Sequence, residues 1–206
     1  LYRAIVAGAS LPPHEPSLEY ADYASWQRQM LQAGELETEN RYWQDQLRGA
    51  PTTLDLPTDR HRPPVRSGRG GIIRFDLEPA LSSQLDLLAG EVGGTRYMIL
   101  LGAFATLLYR LSNQDDVTIG SPMAGRIRPE FETMVGIFVN TLPMRCQLAG
   151  NLTFRELVGR VARTVVAVTS HQQLPFEQLV EAVQPDRNPS HTPIFQIAFG
   201  YQEDPP

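Results

Sequence analysis

The sequence predicts a layered α/β domain in which helices pack against a mixed sheet. Three observations carry that expectation. First, Ile73, Phe75 and Leu77 alternate with Arg74 and Asp76, the period-two pattern of a strand with one buried face. Second, the segment from Tyr97 to Leu111 is apolar on most sides, as in a helix buried deeply against a sheet. Third, such runs follow one another as strand, helix, helix, strand, strand, helix, helix, strand, the order of a layered domain.

Taken along the chain, the first third reads as helical. LYRAIVAG has the character of a helix middle. In SLEYADYASWQRQML, Leu18, Trp26 and Met30 lie near one helical face, with Ser17 as a candidate cap. A second helix is expected from Glu35 to Leu47, with Leu36, Trp43 and Leu47 on one side. Prolines 51, 57, 63 and 64 and glycines 68, 70 and 71 then rule out a helix or a central strand. That stretch reads as a linker or an extended crossing segment, with the main boundary near Ser67 separating residues 1–66 from 67–206. Beyond it, Leu81, Leu85 and Leu88 follow at helical spacing, and DDVTIGS and IFVNTLPMRCQL read as strands. Thr153 and Glu156 form a capping-box pattern ahead of a long amphipathic helix carrying Phe154, Leu157, Val158, Val161, Val165 and Val168. Pro175 suits the first turn of another helix with Phe176, Leu179, Val180 and Val183, and PIFQIAFGY is expected as a closing strand.

Composition excludes several chemistries. All 18 basic residues among the 206 are arginines. A lysine Schiff base, a lysine nucleophile and a P-loop lysine are therefore ruled out within this chain. A net charge of -5 with scattered arginines argues against nucleic-acid binding. No apolar run approaches the roughly 20 residues that span a bilayer, so no membrane partner is expected. The single cysteine, Cys146, ends an apolar run and reads as a buried structural thiol. With no signal-peptide pattern, it fits a reducing, cytoplasmic compartment.

The common catalytic signals are missing: no G-x-S-x-G elbow, no H-E-x-x-H and no paired cysteines. Asp115 and Asp116 are adjacent on a strand, point to opposite faces and make a poor acid/base pair. Asn151-Leu152-Thr153 matches a glycosylation sequon, but Thr153 is better read as a helix cap. His14, His61, His171 and His191 lie at no helix-face spacing from one another, which disfavours a metal site. A histidine base also needs a nucleophile and an orienting partner. His171 is read as bonding backbone carbonyls near the end of the preceding helix.

Four segments in order do carry a signal: YADYASW (20–26), VGIFVNTLPMR (135–145), HQQLPFEQLV (171–180) and RNPSHTPIFQ (187–196). With LPTDRHRP (56–63) and IGSPMAGR (119–126), they resemble the condensation domains of non-ribosomal peptide synthetases over nearly the whole chain. The resemblance implies a two-lobed, chloramphenicol-acetyltransferase-like fold with its active site at the lobe junction. Donor and acceptor peptidyl carrier proteins bring substrates there on phosphopantetheine arms, and no cofactor binds directly. An adenylation domain is the implied neighbour in the parent chain. The reaction implied is amide formation between a carrier-bound aminoacyl or peptidyl thioester and an aminoacyl acceptor.

The family signature, His-His-x-x-x-Asp-Gly, has no counterpart here, and the family places it upstream of the YADYASW segment. The chain is therefore expected to be an internal piece: the end of the first lobe plus a linker in 1–66, and a partial second lobe in 67–206. Alone it is expected to be inactive. By resemblance, Asn140 in FVNT is a supporting residue near the tunnel, or else a strand residue bonding neighbouring backbone. Arg145 is either a structural ion-pair partner or a tunnel residue, and Ser121 and Arg126 are candidates near the lobe interface. Tyr20, Tyr23 and Trp26 read as packing residues. Two other readings stand beside condensation: a non-catalytic docking module and an epimerisation domain. HQQLPFEQLV and FVNT favour condensation over epimerisation.

Overall fold

A two-stranded antiparallel ribbon forms the centre, made of β1 (Asp116–Met123) and β2 (Asn140–Gln147). The computed structural model describes residues 18–65, 67–183 and 189–202, together with positions 6 and 8. His14, the Ser17 cap and most of LYRAIVAG fall outside the described residues. In the ribbon Met123 pairs with Asn140, Ser121 with Leu142 and Thr118 with Arg145. Because side chains alternate along a strand, Val117, Ile119, Ser121 and Met123 share one face with Asn140, Leu142, Met144 and Cys146. Arg145 projects from the other face.

Helices cover this ribbon in the order the periodicities predict. α1 (Tyr20–Ala33) starts at Glu19, whose backbone N–H donates to the Asp22 carboxylate, and stops at Gly34 in the left-handed region. Of its expected face, Trp26 and Met30 pack inward while Leu18 stays 40% exposed. α2 (Glu37–Leu47) begins two residues later than the sequence suggests, because Leu36 is its N-cap. Leu36, Trp43 and Leu47 are all buried, as their spacing requires.

α3 (Pro79–Val92) and α4 (Arg96–Ser112) meet at a 102° bend made possible by Gly93 at φ 62. α4 is less buried than its composition suggests. Ile99, Leu101, Ala105 and Leu108 enter the core, but Leu107 and Leu111 remain half exposed. α5 (Phe154–Ser170) opens on the predicted Thr153–Glu156 capping box and buries Leu157, Val158, Val161, Val165 and Val168. Phe154, expected on that face, is exposed. α6 (Phe176–Val183) follows Pro175, whose carbonyl accepts from the Leu179 N–H. One core holds residues from α2, α4, both strands, α5 and α6, with Trp43, Leu101, Ile119, Leu142 and Met144 among its most enclosed side chains.

Two expected strands are not strands. Residues 72–77 form no ladder, and Ile73 and Phe75 are 92% and 80% exposed. The alternation is intact, but no described strand edge lies beside it to accept its hydrogen bonds. The closing segment makes only a single parallel bridge, Gly120 to Ala198, in place of a strand. Ile194 sits at φ 68, and the Phe195 N–H bonds the Pro193 carbonyl, forming a tight γ-turn just ahead of the one bridge to β1. The layered α/β class holds, with a smaller sheet than the sequence suggests.

The Pro-rich segment is extended and fastened by two glutamines. Gln196 accepts from the Leu54 N–H and donates to the Thr52 carbonyl, while Gln114 accepts from Asp55 N–H and donates to the Thr53 carbonyl. Among the described residues, no single helix is long and apolar enough to cross a membrane.

Candidate functional site

Asn140 opens β2, and its amide faces the loop between α5 and α6. Its Nδ2 donates to the carbonyls of Gln172 (3.1 Å) and Leu174 (2.8 Å), and its Oδ1 accepts from the Phe176 N–H (3.2 Å). Both amide protons are thus spent on backbone of the HQQLPF segment. The asparagine acts as a clamp on that loop and on the start of α6.

Ser121 is buried on the same face of the ribbon. Its Oγ accepts from the Tyr97 hydroxyl (2.7 Å) and donates to the Phe199 carbonyl (2.9 Å). Burial raises the Tyr97 phenol above its ordinary range, partly offset by the bond to Ser121. Ser121 therefore joins α4 to the closing segment across β1.

Arg126 donates to the Phe131 carbonyl and lies 4.3 Å from the Phe138 ring centroid, a cation–π arrangement. Phe131 and Phe138 belong to an aromatic cluster completed by Tyr23 and Trp26 from α1. Tyr20 stacks edge-on against Phe138 and donates to the Ile137 carbonyl. The packing role read for these α1 aromatics is what they perform.

Arg145 forks onto Asp116, with Nε at 3.0 and 3.1 Å and Nη2 at 2.6 Å from its carboxylate oxygens. Its Nη1 donates to the carbonyls of Gln46 and Arg48, closing the C-terminal end of α2 onto the ribbon. The ion pair, one of the two roles left open for Arg145, is formed. The ribbon thus brings Asn140 and Ser121 to one face and sends Arg145 to the other. Arg145 borders a polar cleft of about 460 Å³ shared with α2 and α5.

Sequence reasoning missed one arrangement. His171 does end α5, and its carbonyl accepts from Trp43 Nε1 (3.0 Å). Its ring, however, does not bond helix carbonyls as expected. The Nδ1 atom pairs with Glu39 at 2.9 Å, and the ring stacks on Tyr42 with centroids 3.9 Å apart. The orienting carboxylate comes from α2, a helix 132 positions earlier, so no local pattern could announce it. Cys146 is buried as predicted, and burial pushes its thiol up to about 12, with Asp116 adding to the effect. At neutral pH it is a protonated packing residue, not a nucleophile.

Comparison with known proteins bears on the whole chain. A family model described as Condensation domain matches residues 1–205. One of the linear gramicidin synthase subunits of Brevibacillus parabrevis is 45% identical over 205 residues, covering 100% of this chain and 3% of that protein. The crystal structure of the X-domain from teicoplanin biosynthesis matches with a TM-score of 0.85 at 28% identity, covering 96% of this chain and 45% of that one. A complex of the X-domain and OxyB gives the same TM-score and identity, covering 44% of the solved chain. The chain thus spans a small part of the gramicidin synthase protein and under half of the solved X-domain.

Proposed function

Because this chain belongs to the condensation-domain family, we propose that it forms part of a non-ribosomal peptide synthetase domain that joins two carrier-bound acyl groups. The match across residues 1–205 is the observation that carries this reading, and the 45% identity to a linear gramicidin synthase supports it. In the proposed reaction the acceptor amine attacks the donor thioester carbonyl, the C–S bond breaks, and the amine proton passes to the departing thiolate. The barrier is lowered by holding two reactants in register and stabilising the oxyanion. Donor and acceptor carrier proteins present the substrates on phosphopantetheine arms, next to an adenylation domain, in the cytoplasm. No cofactor of the chain's own is part of this scheme.

Within it, Asn140 and Ser121 are positioning residues. One fixes the 172–176 loop and the other fixes the closing segment against β1. Proton handling falls to the His-His-x-x-x-Asp-Gly segment, which this sequence does not contain, so the 206 residues alone are inactive. The test is an assay with loaded donor and acceptor carriers, run on this chain and on a parent including the upstream segment. The parent is expected to form the amide and the chain alone to form none. Product from the chain alone would overturn its inactivity, and a silent, well-folded parent would overturn the catalytic reading.

A second reading is favoured by one observation, the likeness to an X-domain solved in complex with OxyB. On that reading the domain docks a partner enzyme. A silent parent that still captures a partner enzyme would select it.

A further inference from the structure

The cleft beside Arg145 is lined by three arginines and one carboxylate, that of Asp45. Its floor is the end of β2, where Arg145 and Gln147 sit; one wall is the C-terminal end of α2 with Asp45; the other is α5, with Arg160, Arg163 and Thr164. Arg145 is neutralised by Asp116, and Asp45 is taken up by Arg48, 2.5 Å away. Arg160 and Arg163 have no such carboxylate among the described residues. Arg160 makes long contacts to the carbonyls of Gln147 (3.4 Å) and Ala149 (3.3 Å), which orient its guanidinium without cancelling its charge. Glu156, one turn earlier on α5, feels Arg160, but its carboxylate is bonded by Thr153. Arg163 is exposed and forms no ion pair among the described residues.

Spacing explains why the two act together. Residues three apart on a helix project over neighbouring patches of surface, so both guanidiniums line the same wall. Thr164 adds a hydroxyl on that wall. Two guanidiniums without an ion-pair partner among the described residues therefore line one concavity. A bound dianion is attracted by both positive charges. Guanidinium forks suit phosphate oxygens, two N–H groups to two oxygens, better than they suit a point charge such as chloride. A volume of about 460 Å³ exceeds what a bare phosphate fills and falls in the range of small-molecule sites.

We propose that this cleft binds a phosphate dianion, held by Arg160 and Arg163, with room for the organic part of a phosphate ester. The site lies at the Arg145 end of the ribbon and does not depend on the acyl-transfer reading.

The test is a titration of the 206-residue chain with inorganic phosphate and, separately, with phenyl phosphate. Ionic strength is held constant with sodium chloride, and the arginine Nε–Hε resonances are followed by NMR. With no lysine in the chain, arginines are the only side chains with a permanent positive charge at neutral pH. Saturable shifts confined to a few arginines are expected. Arg163→Gln should weaken binding about tenfold, the equivalent of one charge-assisted hydrogen bond, and Arg160→Gln with Arg163→Gln should abolish saturation. Arg163 is exposed, so its variant retains the fold, which circular dichroism checks. Tighter binding of phenyl phosphate than of phosphate identifies an ester as the ligand; equal binding identifies free phosphate; either supports the site. Shifts that never saturate, saturation that survives in the double variant, or equal binding of succinate would overturn it.

Discussion

The side-chain amide of Asn140 donates to the carbonyl of Leu174 at 2.8 Å, tying the first residue of β2 to a loop 34 residues further on. Together with the bonds to Gln172 and Phe176, this makes one side chain responsible for the path of the HQQLPF segment. Asn140→Ala leaves two carbonyls and one N–H without their partner, at a cost of about 1–3 kcal/mol. Asn140→Asp is expected to cost more at pH 7, because it sets a carboxylate oxygen against two carbonyls. Urea unfolding midpoints of the two variants give the order. An aspartate variant as stable as the wild type would show that the amide protons are not what the loop requires. On the proposed amide-forming function, Asn140→Ala in a longer chain that includes the upstream segment is expected to slow amide formation in the fraction that remains folded, since the loop it positions has lost its anchor.

Gly120 presents a different kind of dependence, one of space. A Cβ built there would lie 2.2 Å from Cε2 of the Phe195 ring, and the same residue exchanges backbone hydrogen bonds with Ile197 and Phe199. Gly120→Ala must push the ring out of its packing against Phe176 or break the bridge to the closing segment. The expected loss is about 1–3 kcal/mol, typical of overpacking. Adding Phe195→Leu should restore part of it, because the smaller side chain vacates the clash. Additive losses in that double-mutant cycle would refute the contact as the cause.

How much of this was legible in the sequence depends on the distance over which each interaction acts. The Leu36, Trp43, Leu47 stripe and the Thr153–Glu156 box are set within one or two helical turns, and the structure forms them as read. The clamp from Asn140 to Leu174, the fork from Arg145 to Asp116 and the pair between His171 and Glu39 join different elements. No periodicity encodes those pairings; only the resemblance placed Asn140 and Arg145 in view, and it could not say what they touch. The strand expected at 73–77 failed for a related reason. Alternation specifies which face a strand would bury but not whether a neighbouring edge exists to pair with it. Ile194 adds a local exception, since a β-branched residue at positive φ contradicts its own preference for extended backbone.

Glu156 links a helix cap to pH. Hydrogen bonds from the Thr153 backbone N–H, and then from its hydroxyl, hold the Glu156 carboxyl below its usual range. A lowered folded-state pKa means the unfolded chain takes up its proton first, so the cap stabilises at neutral pH and weakens as pH falls. Glu156→Gln should therefore lower the melting temperature at pH 7 and make progressively less difference below the ordinary glutamate range of about 4.3. Melting curves at pH 7 and pH 3 provide the check. An equal deficit at both would show that the carboxylate charge contributes nothing to the cap.

Cys146 gives the opposite sign. Burial, with a smaller push from Asp116, raises its thiol from 9.0 to about 12, while the unfolded chain leaves it near its ordinary value. Between those values the unfolded state has lost a proton that the folded state retains. Stability is therefore fully present below the unfolded pKa and is lost as pH climbs toward about 12. Two consequences can be measured on one sample. At pH 8 in native buffer the thiol should resist an alkylating reagent and react promptly once urea unfolds the chain, since the reactive species is the exposed thiolate. Cys146→Ala should also flatten the fall in unfolding free energy across the alkaline range, even though it lowers stability at pH 7 by emptying part of the core. Rapid labelling of the folded chain at pH 8, with circular dichroism unchanged, would place the thiol at the surface and remove the basis for both.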